Sequence, residues 1–320
     1  MSATLLQVEG LGVHFAVRGR RLQALEDVSF TLEERGALGV AGESGSGKST
    51  LARAILRLVP RVEGTVRWEG ADIYRLAAVE LRRRRRHVQI VFQDPLASLD
   101  PRQTIGAIVA EPLEVIEPGL ARAERAERVR RTLERVGLGA DLANRYPHEF
   151  SGGQCQRVAI ARAIVGSPRL LVCDEPLSSL DVSVQAQIVN LLDDLRRELG
   201  IALVFISHNL AVVRRTVQRV LVLYLGRTVE LADRDALYAT PRHPYTRALL
   251  DAVPVPDPAR ARRGGPTAAT DLSSAFASRA GCVFARRCPF AVDRCRQVVP
   301  ALESAGPGHL VACHRWRELP

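Results

Sequence analysis

The order of apolar and polar positions divides the chain into short strands and longer helices. Two stretches near the start, LLQVEGLGVHFAV and LEDVSFTLE, alternate apolar and polar residues, which predicts strands with one buried face. The short apolar runs GALGVAG, VQIVF, LLVCDEP and ALVFIS predict buried strands. VEGTVRWEG predicts a hairpin, and RVLVLYLGRTVE predicts a pair of strands.

Helical periodicity fills most of the intervals between these runs. We expect helices from Ser49 to about Leu58, within Thr104–Gly137, from Gln154 to Val165, and over VQAQIVNLLDDLRREL. Helices that alternate with short apolar strands are typical of an α/β fold with a parallel sheet. After RHPYTRALLDAV, the Pro-, Gly- and Arg-rich stretch PVPDPARARRGGPTAAT predicts a linker before a tail that contains cysteines.

Composition narrows the class of protein. The 320 residues are 47% hydrophobic and 25% charged, which fits a globular chain with one large domain and an appendage. No apolar run reaches the roughly 18–20 residues needed to span a bilayer, and MSATLLQVEGLGVHF lacks the regions of a signal peptide. We therefore expect a cytoplasmic location.

The net charge of +10 does not change the expected class of protein. Only 5% of the residues are aromatic, and no basic stripe is interleaved with aromatic residues, so we do not expect nucleic acid as a partner. The densest basic run, Arg82 to Arg86, is interpreted as the solvated end of a helix before a strand.

The stretch GESGSGKS fits the pattern G-x-x-x-x-G-K-[ST] and lies between a predicted strand and a predicted helix. Glycines let the backbone curl so that successive N–H groups point at phosphate oxygens, and the helix N-terminus favours negative charge. Lys48, the only lysine among 45 Lys and Arg residues, would reach the β- and γ-phosphates, and Ser49 would bind Mg²⁺. The pattern predicts a nucleoside-triphosphate site.

Two further segments extend this site. The strand LLVCDE ends in Asp174, expected to hold Mg²⁺, and Glu175, expected to polarise an attacking water as general base. FSGGQ opens a helix, and its Ser151, Gly152 and Gly153 form a second anion site that the first loop does not need. We infer that each nucleotide is held between two chains.

With these motifs in this order, residues 4–255 closely resemble the ATPase subunit of ABC transporters. The resemblance implies that Gln93 contacts Mg²⁺ or the water, that His208 contacts the γ-phosphate and orients Glu175, and that Asp181 communicates across the dimer. Phe15 lies where the family stacks an aromatic ring on adenine, although it could instead face the core with Val13. Lys48, Gln93, Glu175 and His208 are the expected catalytic residues. The expected nucleotide-binding residues are Phe15, Gly42, Glu43, Ser44, Gly45, Ser46, Gly47, Lys48, Ser49, Thr50, Gln93, Ser151, Gly152, Gly153, Gln154, Asp174 and Asp181, of which Ser49, Gln93 and Asp174 would also bind Mg²⁺.

The implied fold is an α/β P-loop ATPase with a mixed central sheet, an antiparallel β subdomain, a helical signature subdomain at about 95–165 and a small cysteine-rich C-terminal extension. The expected boundary separates an ATPase domain, 1–255, from an extension, 256–320.

FQDPLASLDPRQTIGAIVAEPL and RHPYTRALL resemble the dipeptide and oligopeptide importer ATPases, specifically the second of their two ATPase subunits. This implies a second ATPase subunit, two transmembrane permease subunits, an extracytoplasmic binding protein, and a place on the cytoplasmic side of the membrane. We expect the second ATPase subunit to be a different chain, and pairing of this chain with itself stays open. Nickel or another small solute is an alternative cargo, and a soluble ABC ATPase that acts on nucleic acid is a more distant alternative.

Four cysteines lie in the tail: Cys282, Cys288, Cys295 and Cys313. In a reduced compartment this clustering favours metal over disulfides, and Zn²⁺, a [4Fe–4S] cluster and free thiols all remain open. The wide spacings do not match zinc knuckles, and the subfamily resemblance implies the cluster. Cys155 and Cys173 are expected to be buried small hydrophobes, although Cys155 near a helix N-terminus could instead be a low-pKa thiol.

Overall fold

The computed structural model describes residues 3–17, 19–59, 62–252 and 280–319. The predicted linker and the expected boundary near residue 255 lie outside these residues. The strands are β1 (Thr4–Val17), β2 (Arg20–Glu33), β3 (Ala37–Ala41), β4 (Val62–Trp68), β5 (Ala71–Asp72), β6 (Val88–Val91), β7 (Leu170–Asp174), β8 (Ala202–Ser207), β9 (Arg219–Tyr224), β10 (Arg227–Asp233), β11 (Glu303–Gly306) and β12 (His309–Val311).

The α-helices are α1 (Lys48–Ile55), α2 (Ala78–Arg85), α3 (Pro95–Ser98), α4 (Ile105–Ile116), α5 (Arg122–Arg135), α6 (Gly152–Ile164), α7 (Val182–Leu199), α8 (Leu210–Thr216), α9 (Arg234–Ala239), α10 (Pro244–Asp251) and α11 (Asp293–Gln297). Short 3₁₀ helices cover Ala140–Asn144 and Pro147–Glu149. None of the helices in the described ranges is both long and apolar enough to cross a bilayer.

The chain divides into two compact units. Among the described residues, unit A comprises those within Met1–Leu5, Leu32–Ala37 and Trp68–Ile206, and unit B comprises those within Leu6–Thr31, Leu38–Arg67 and Ser207–Pro320.

Unit A contains the parallel strands β8, β7 and β6 in that spatial order, with Leu170 opposite Ala202 and Asp174 opposite Ile206. Every residue of β7 and β8 is buried, as expected for parallel strands covered on both faces. Helix α6 packs against β6, α7 and the helices α3 to α5. The basic run at the end of α2 is mostly exposed, which confirms its interpretation as a solvated helix end.

Unit B contains a mixed sheet. Strand β3 pairs in parallel with β9, and β9, β10, β12 and β11 follow as antiparallel neighbours. The predicted strand pair in RVLVLYLGRTVE is therefore confirmed. The C-terminal tail contributes β11 and β12 to this sheet, with Val311 opposite Glu230 and His309 opposite Ala232. The strands β2, β1 and β4 are neighbours, in that order, in a second sheet.

The predicted hairpin in VEGTVRWEG is confirmed, but its turn lies at Glu69 and Gly70, which join the single strand β4 (Val62–Trp68) to its sheet neighbour β5. Gly64, inside β4, does not turn the chain but lets it approach β1. A Cβ at Gly64 would lie 2.3 Å from the carbonyl oxygens of Glu9 and Gly10, and the glycine has a left-handed φ of 81°.

Helix α1 ends at Ile55, so the predicted end near Leu58 is wrong. Arg57 adopts a left-handed φ of 51°, and the Leu58 N–H donates to the Arg53 carbonyl (2.8 Å). This bonding pattern is typical of a helix C-terminal cap.

Candidate functional site

The glycine loop of unit B lies between β3 and α1. Strand β3 is fully buried, and the chain then curls through residues 42–47 before α1 begins at Lys48. Gly47 has a left-handed φ of 104°, and a Cβ there would lie 2.7 Å from the Ala24 carbonyl oxygen. Only glycine fits this turn without strain, so the predicted loop conformation has a local steric cause.

Lys48 is 4% exposed, and its ammonium lies beneath the loop. Its Nζ donates to the carbonyl oxygens of Gly42 and Glu43, at 2.9 Å each. A compact ammonium can make these two bonds in a space where a planar guanidinium would need more room. The position therefore combines burial, positive charge and a helix N-terminus, which suits phosphate oxygens.

Two other predicted residues of unit B are accessible. Phe15 is 36% exposed whereas Val13 is fully buried, so Phe15 is not part of the buried core. His208 is exposed and directly follows β8. Both are accessible to a ligand, and their contacts with adenine and with the γ-phosphate remain predictions.

The predicted acids lie at the end of β7 in unit A. Asp174 is 3% exposed and ends the strand. Glu175 has a left-handed φ of 46°, and its N–H donates to the Ile206 carbonyl (3.1 Å). A non-glycine residue in this region is strained, and such strain is concentrated at functional sites. The Gln93 Nε2 donates to the Glu175 Oε2 at 3.4 Å, so unit A brings these two predicted catalytic residues together.

The signature segment forms the N-terminus of α6. Ser151 caps the helix: its Oγ accepts from the Gln154 N–H (3.3 Å), and the Gln154 Oε1 accepts from the Ser151 N–H (2.9 Å). Such a reciprocal cap stabilises a helix start by about 1 kcal/mol. Ser151 and Gly152 are exposed, and the exposed Asp181 occupies the N-cap position of α7. The structure leaves both helix starts open to another molecule.

The isolated cysteines are buried. Cys155 and Cys173 are fully buried, and burial raises the pKa of both thiols. The Cys155 thiol donates to the Pro147 carbonyl at 3.6 Å. The raised pKa of the Cys155 thiol contradicts the possibility of a low-pKa thiol there, and its cause is desolvation by burial.

The four tail cysteines line one cavity in unit B, together with His243, Phe284, Phe290 and His314. Among the described residues, no three or more His, Cys, Asp or Glu side chains are grouped so as to hold a metal ion. Burial raises the pKa of Cys282 to about 11 and also raises those of Cys288 and Cys313. A bound cation would offset this cost of forming thiolates.

Residues outside the predicted set contact the loop. Tyr245 is fully buried, and its hydroxyl accepts from the Glu43 N–H at 2.8 Å. Arg287, which precedes Cys288, donates to both carboxylate oxygens of Glu43, at 2.6 and 2.9 Å. These partners lie more than 200 residues away from Glu43 along the chain, and no local pattern indicated them.

A glycine loop between a buried strand and a helix, with a buried lysine at the helix start, defines a P-loop nucleotide-binding protein of the α/β class. The profile of the ABC transporter family matches residues 25–178. The profile described as the oligopeptide/dipeptide transporter, C-terminal region, matches residues 229–295.

Relatives match nearly the whole chain. The oligopeptide transport ATP-binding protein OppF of Salmonella typhimurium is 49% identical over 97% of this chain and 95% of its own length. A putative peptide import ATP-binding protein of Brucella ovis is 51% identical over 97% of this chain and 98% of its own length. The chain therefore belongs to the family of ABC transporter ATP-binding proteins and is an ATPase.

Solved structures agree with this assignment. A dimeric ATP-binding cassette in a post-hydrolysis state, bound to ADP and Pi, superimposes with a TM-score of 0.66 at 30% identity, over 72% of this chain and 99% of that chain. A cbiO1 protein from Clostridium perfringens, part of an ABC transporter complex, gives a TM-score of 0.66 at 26% identity, over 74% of this chain and 91% of that chain. The predicted ABC-type ATPase fold is confirmed.

Proposed function

We propose that this chain is the ATP-hydrolysing subunit of an importer for di- and oligopeptides. One observation carries the proposal: similarity to the oligopeptide transport protein covers the ATPase segment and also the C-terminal region described for oligopeptide and dipeptide transporters. The cassette alone would serve many solutes, so the C-terminal region is what favours peptides.

In this proposal residues 42–50 bind the triphosphate. The backbone N–H groups of Gly42, Glu43, Ser44, Gly45, Ser46 and Gly47 wrap the phosphates, and Thr50 supports the first turn of α1. Lys48 turns from its loop carbonyls toward the β- and γ-phosphate oxygens, as a point charge suits such a narrow cradle. Phe15 stacks on the adenine ring.

Ser49, Gln93 and Asp174 would hold Mg²⁺, which neutralises charge on the phosphate oxygens. Glu175 accepts the proton of the attacking water as general base, and the strained backbone at this residue supports such a role. The hydrogen bond from Gln93 orients the Glu175 carboxylate. His208 donates to the γ-phosphate.

The open N-terminus of α6 serves the opposite ATPase subunit. Ser151, Gly152, Gly153 and Gln154 bind the γ-phosphate held by the other subunit, and Asp181 links the two sites. The exposure of Ser151 and Gly152 supports this arrangement. The proposed partner is a second ATPase subunit of a different sequence, and a second copy of this chain is the alternative.

The ATPase pair drives alternating access in two transmembrane permease subunits that receive peptide from an extracytoplasmic binding protein. The chain lies at the cytoplasmic side of the membrane through these permeases. The similarity to named import proteins supports these partners.

The tail cysteines are proposed to hold a [4Fe–4S] cluster. Four thiolates around one cavity fit a cluster that takes one cysteine at each of four irons. A single Zn²⁺, which takes four ligands at about 2.0–2.3 Å, is the alternative occupant of the same thiolates. Protein purified without oxygen should contain iron and inorganic sulfide. Their absence from the full-length protein would overturn this part of the proposal.

Transport in proteoliposomes tests the proposed function. The chain is assembled with its permeases and second ATPase, and turnover is measured with the binding protein loaded with a tripeptide or with Ni²⁺. We expect stimulation by peptide alone, loss of turnover in Glu175→Gln, and normal turnover in the exposed control Glu198→Gln. Stimulation by Ni²⁺ alone, or full turnover in Glu175→Gln, would refute the cargo or the base, respectively.

A further inference from the structure

The cysteine segment, residues 280–319, contacts the glycine loop through a bidentate ion pair. Arg287 Nη1 lies 2.6 Å from Glu43 Oε2, and Nη2 lies 2.9 Å from Oε1. The two side chains are 23% and 27% exposed, so the pair is partly shielded from solvent. Fork-to-carboxylate pairs of this kind are among the strongest hydrogen-bonded ion pairs in proteins.

An aromatic cluster fixes the arginine. The guanidinium carbon of Arg287 lies 5.7 Å from the ring centres of both Tyr224 and Phe284. The ring centres of Tyr224 and Tyr245 are 4.6 Å apart, and those of Tyr245 and Phe284 are 5.4 Å apart. Because cations are attracted to ring faces, the cluster holds the guanidinium in place before the loop is engaged.

The backbone of Glu43 is held separately from its side chain. The Tyr245 hydroxyl accepts from the Glu43 N–H, whereas Arg287 binds only the carboxylate. Removal of the arginine should therefore leave the loop backbone in place and expose a negative charge within it.

That charge conflicts with the role of the loop. Glu43 stands inside GESGSGKS, which in the proposed function wraps a polyanionic triphosphate. We infer that Arg287 is a positioning residue of the ATP site: it neutralises and orients Glu43, so that the cysteine segment sets the affinity of the loop for ATP. This inference rests on the proposed role of residues 42–50.

The position of Arg287 in the sequence links its contact with Glu43 to the turn that carries the cysteines. Arg287 precedes Cys288, and the Arg287 N–H donates to the Phe284 carbonyl (3.0 Å) within the turn that carries the first two cysteines. A rearrangement of this turn therefore displaces the guanidinium from Glu43.

A charge-rescue series tests the inference. Arg287→Met keeps an apolar stem against the rings but removes the positive charge that faces Glu43, and should raise the KM and the Kd for ATP about fivefold, as loss of one charge from a partly solvated site would do. Glu43→Gln combined with Arg287→Met removes the carboxylate charge as well and should restore both values to within about twofold of wild type. The exposed neighbour Arg286→Met is the matched control and should change neither value.

Further readouts separate this role from general stabilisation. A structural role would lower kcat and the melting temperature at constant KM, and the double variant would be no better than Arg287→Met. Either result overturns the inference. The fivefold effect should also shrink in high salt, because screening weakens an exposed charge.

Lys48→Ala distinguishes failure of this inference from failure of the proposed ATP site. If Lys48→Ala weakens ATP binding and Arg287→Met does not, the inference fails and the proposed ATP site stands. If Lys48→Ala leaves ATP binding intact, the proposed role of the loop fails, and the inference fails with it.

Discussion

At the scale of single residues, the buried Lys48 gives the sharpest local prediction. Its Nζ already uses two hydrogen bonds to loop carbonyls, and the side chain is 4% exposed. In Lys48→Arg the bulkier planar guanidinium should displace the loop, so we expect the Kd for ATP to rise by about tenfold or more and turnover to be lost. Equilibrium binding of ATP and phosphate release measure the two effects.

The reciprocal swap on the same helix is the control. Arg53 is exposed near the end of α1, and Arg53→Lys should leave both values unchanged. If Lys48→Arg bound and hydrolysed ATP normally, the loop would tolerate either cation, and the explanation from side-chain shape would be wrong.

The residues that sequence could predict are those whose partners are close along the chain. Lys48 and Gly47 belong to one loop, and their geometry follows from local backbone requirements. Arg287 and Tyr245 meet Glu43 across 244 and 202 positions. Such contacts depend on the tertiary fold. The local sequence shows only that Arg287 stands beside a cysteine and that Tyr245 lies within RHPYTRALL, and it gives no sign of contact with Glu43.

At the scale of elements, prediction succeeded where burial leaves a clear pattern of apolar residues. The run ALVFIS predicted β8 at its exact bounds, because a fully buried parallel strand is a continuous apolar run. The tail strands β11 and β12 were missed, since they are short and ESAG and HLV carry no alternation. What holds β12 is a long-range contact with β10.

That contact predicts a specific stabilising role for Glu230 of β10. Glu230 is fully buried and accepts from the Arg242 N–H (2.7 Å) and the His243 N–H (2.9 Å), and its Oε1 lies 2.6 Å from His309 Nε2. Glu230→Gln should lower the free energy of unfolding of this region by about 3 kcal/mol, as breaking a buried pair does. In a Trp68→Phe background, fluorescence from Trp316 reports unfolding of the tail.

The matched control is Glu303→Gln on the neighbouring strand β11. Glu303 pairs with Arg317 at the surface, and such pairs contribute about 1 kcal/mol or less. Equal effects of the two variants would contradict a special role for Glu230.

Burial opposes ionisation of Glu230, but the hydrogen bonds to its carboxylate outweigh burial and lower its pKa. The stability that the ionised Glu230 provides should therefore persist above the ordinary glutamate pKa of about 4.3 and be lost as the pH falls further.

At the scale of the whole molecule, the proposed ATP site includes a second chain. The N-terminus of α6 is exposed at Ser151 and Gly152, and the capping pair with Gln154 presets its backbone for an anion. With hydrolysis blocked in Glu175→Gln, ATP should hold this chain and the second ATPase subunit together. Light scattering after gel filtration in ATP and Mg²⁺ should give the summed mass, whereas wild type should separate as ATP is consumed.

The signature helix supplies the control for this association. A carboxylate introduced by Gly153→Asp would oppose the γ-phosphate and would crowd Val184, whose Cγ1 lies 2.6 Å from the Cβ position. Combined with Glu175→Gln, it should abolish association while leaving the Kd for ATP at the glycine loop unchanged, because the loop of the same chain does not use Gly153. Persistent association in the double variant would mean that the chains meet through another surface, and the second anion site would lose its role in joining them.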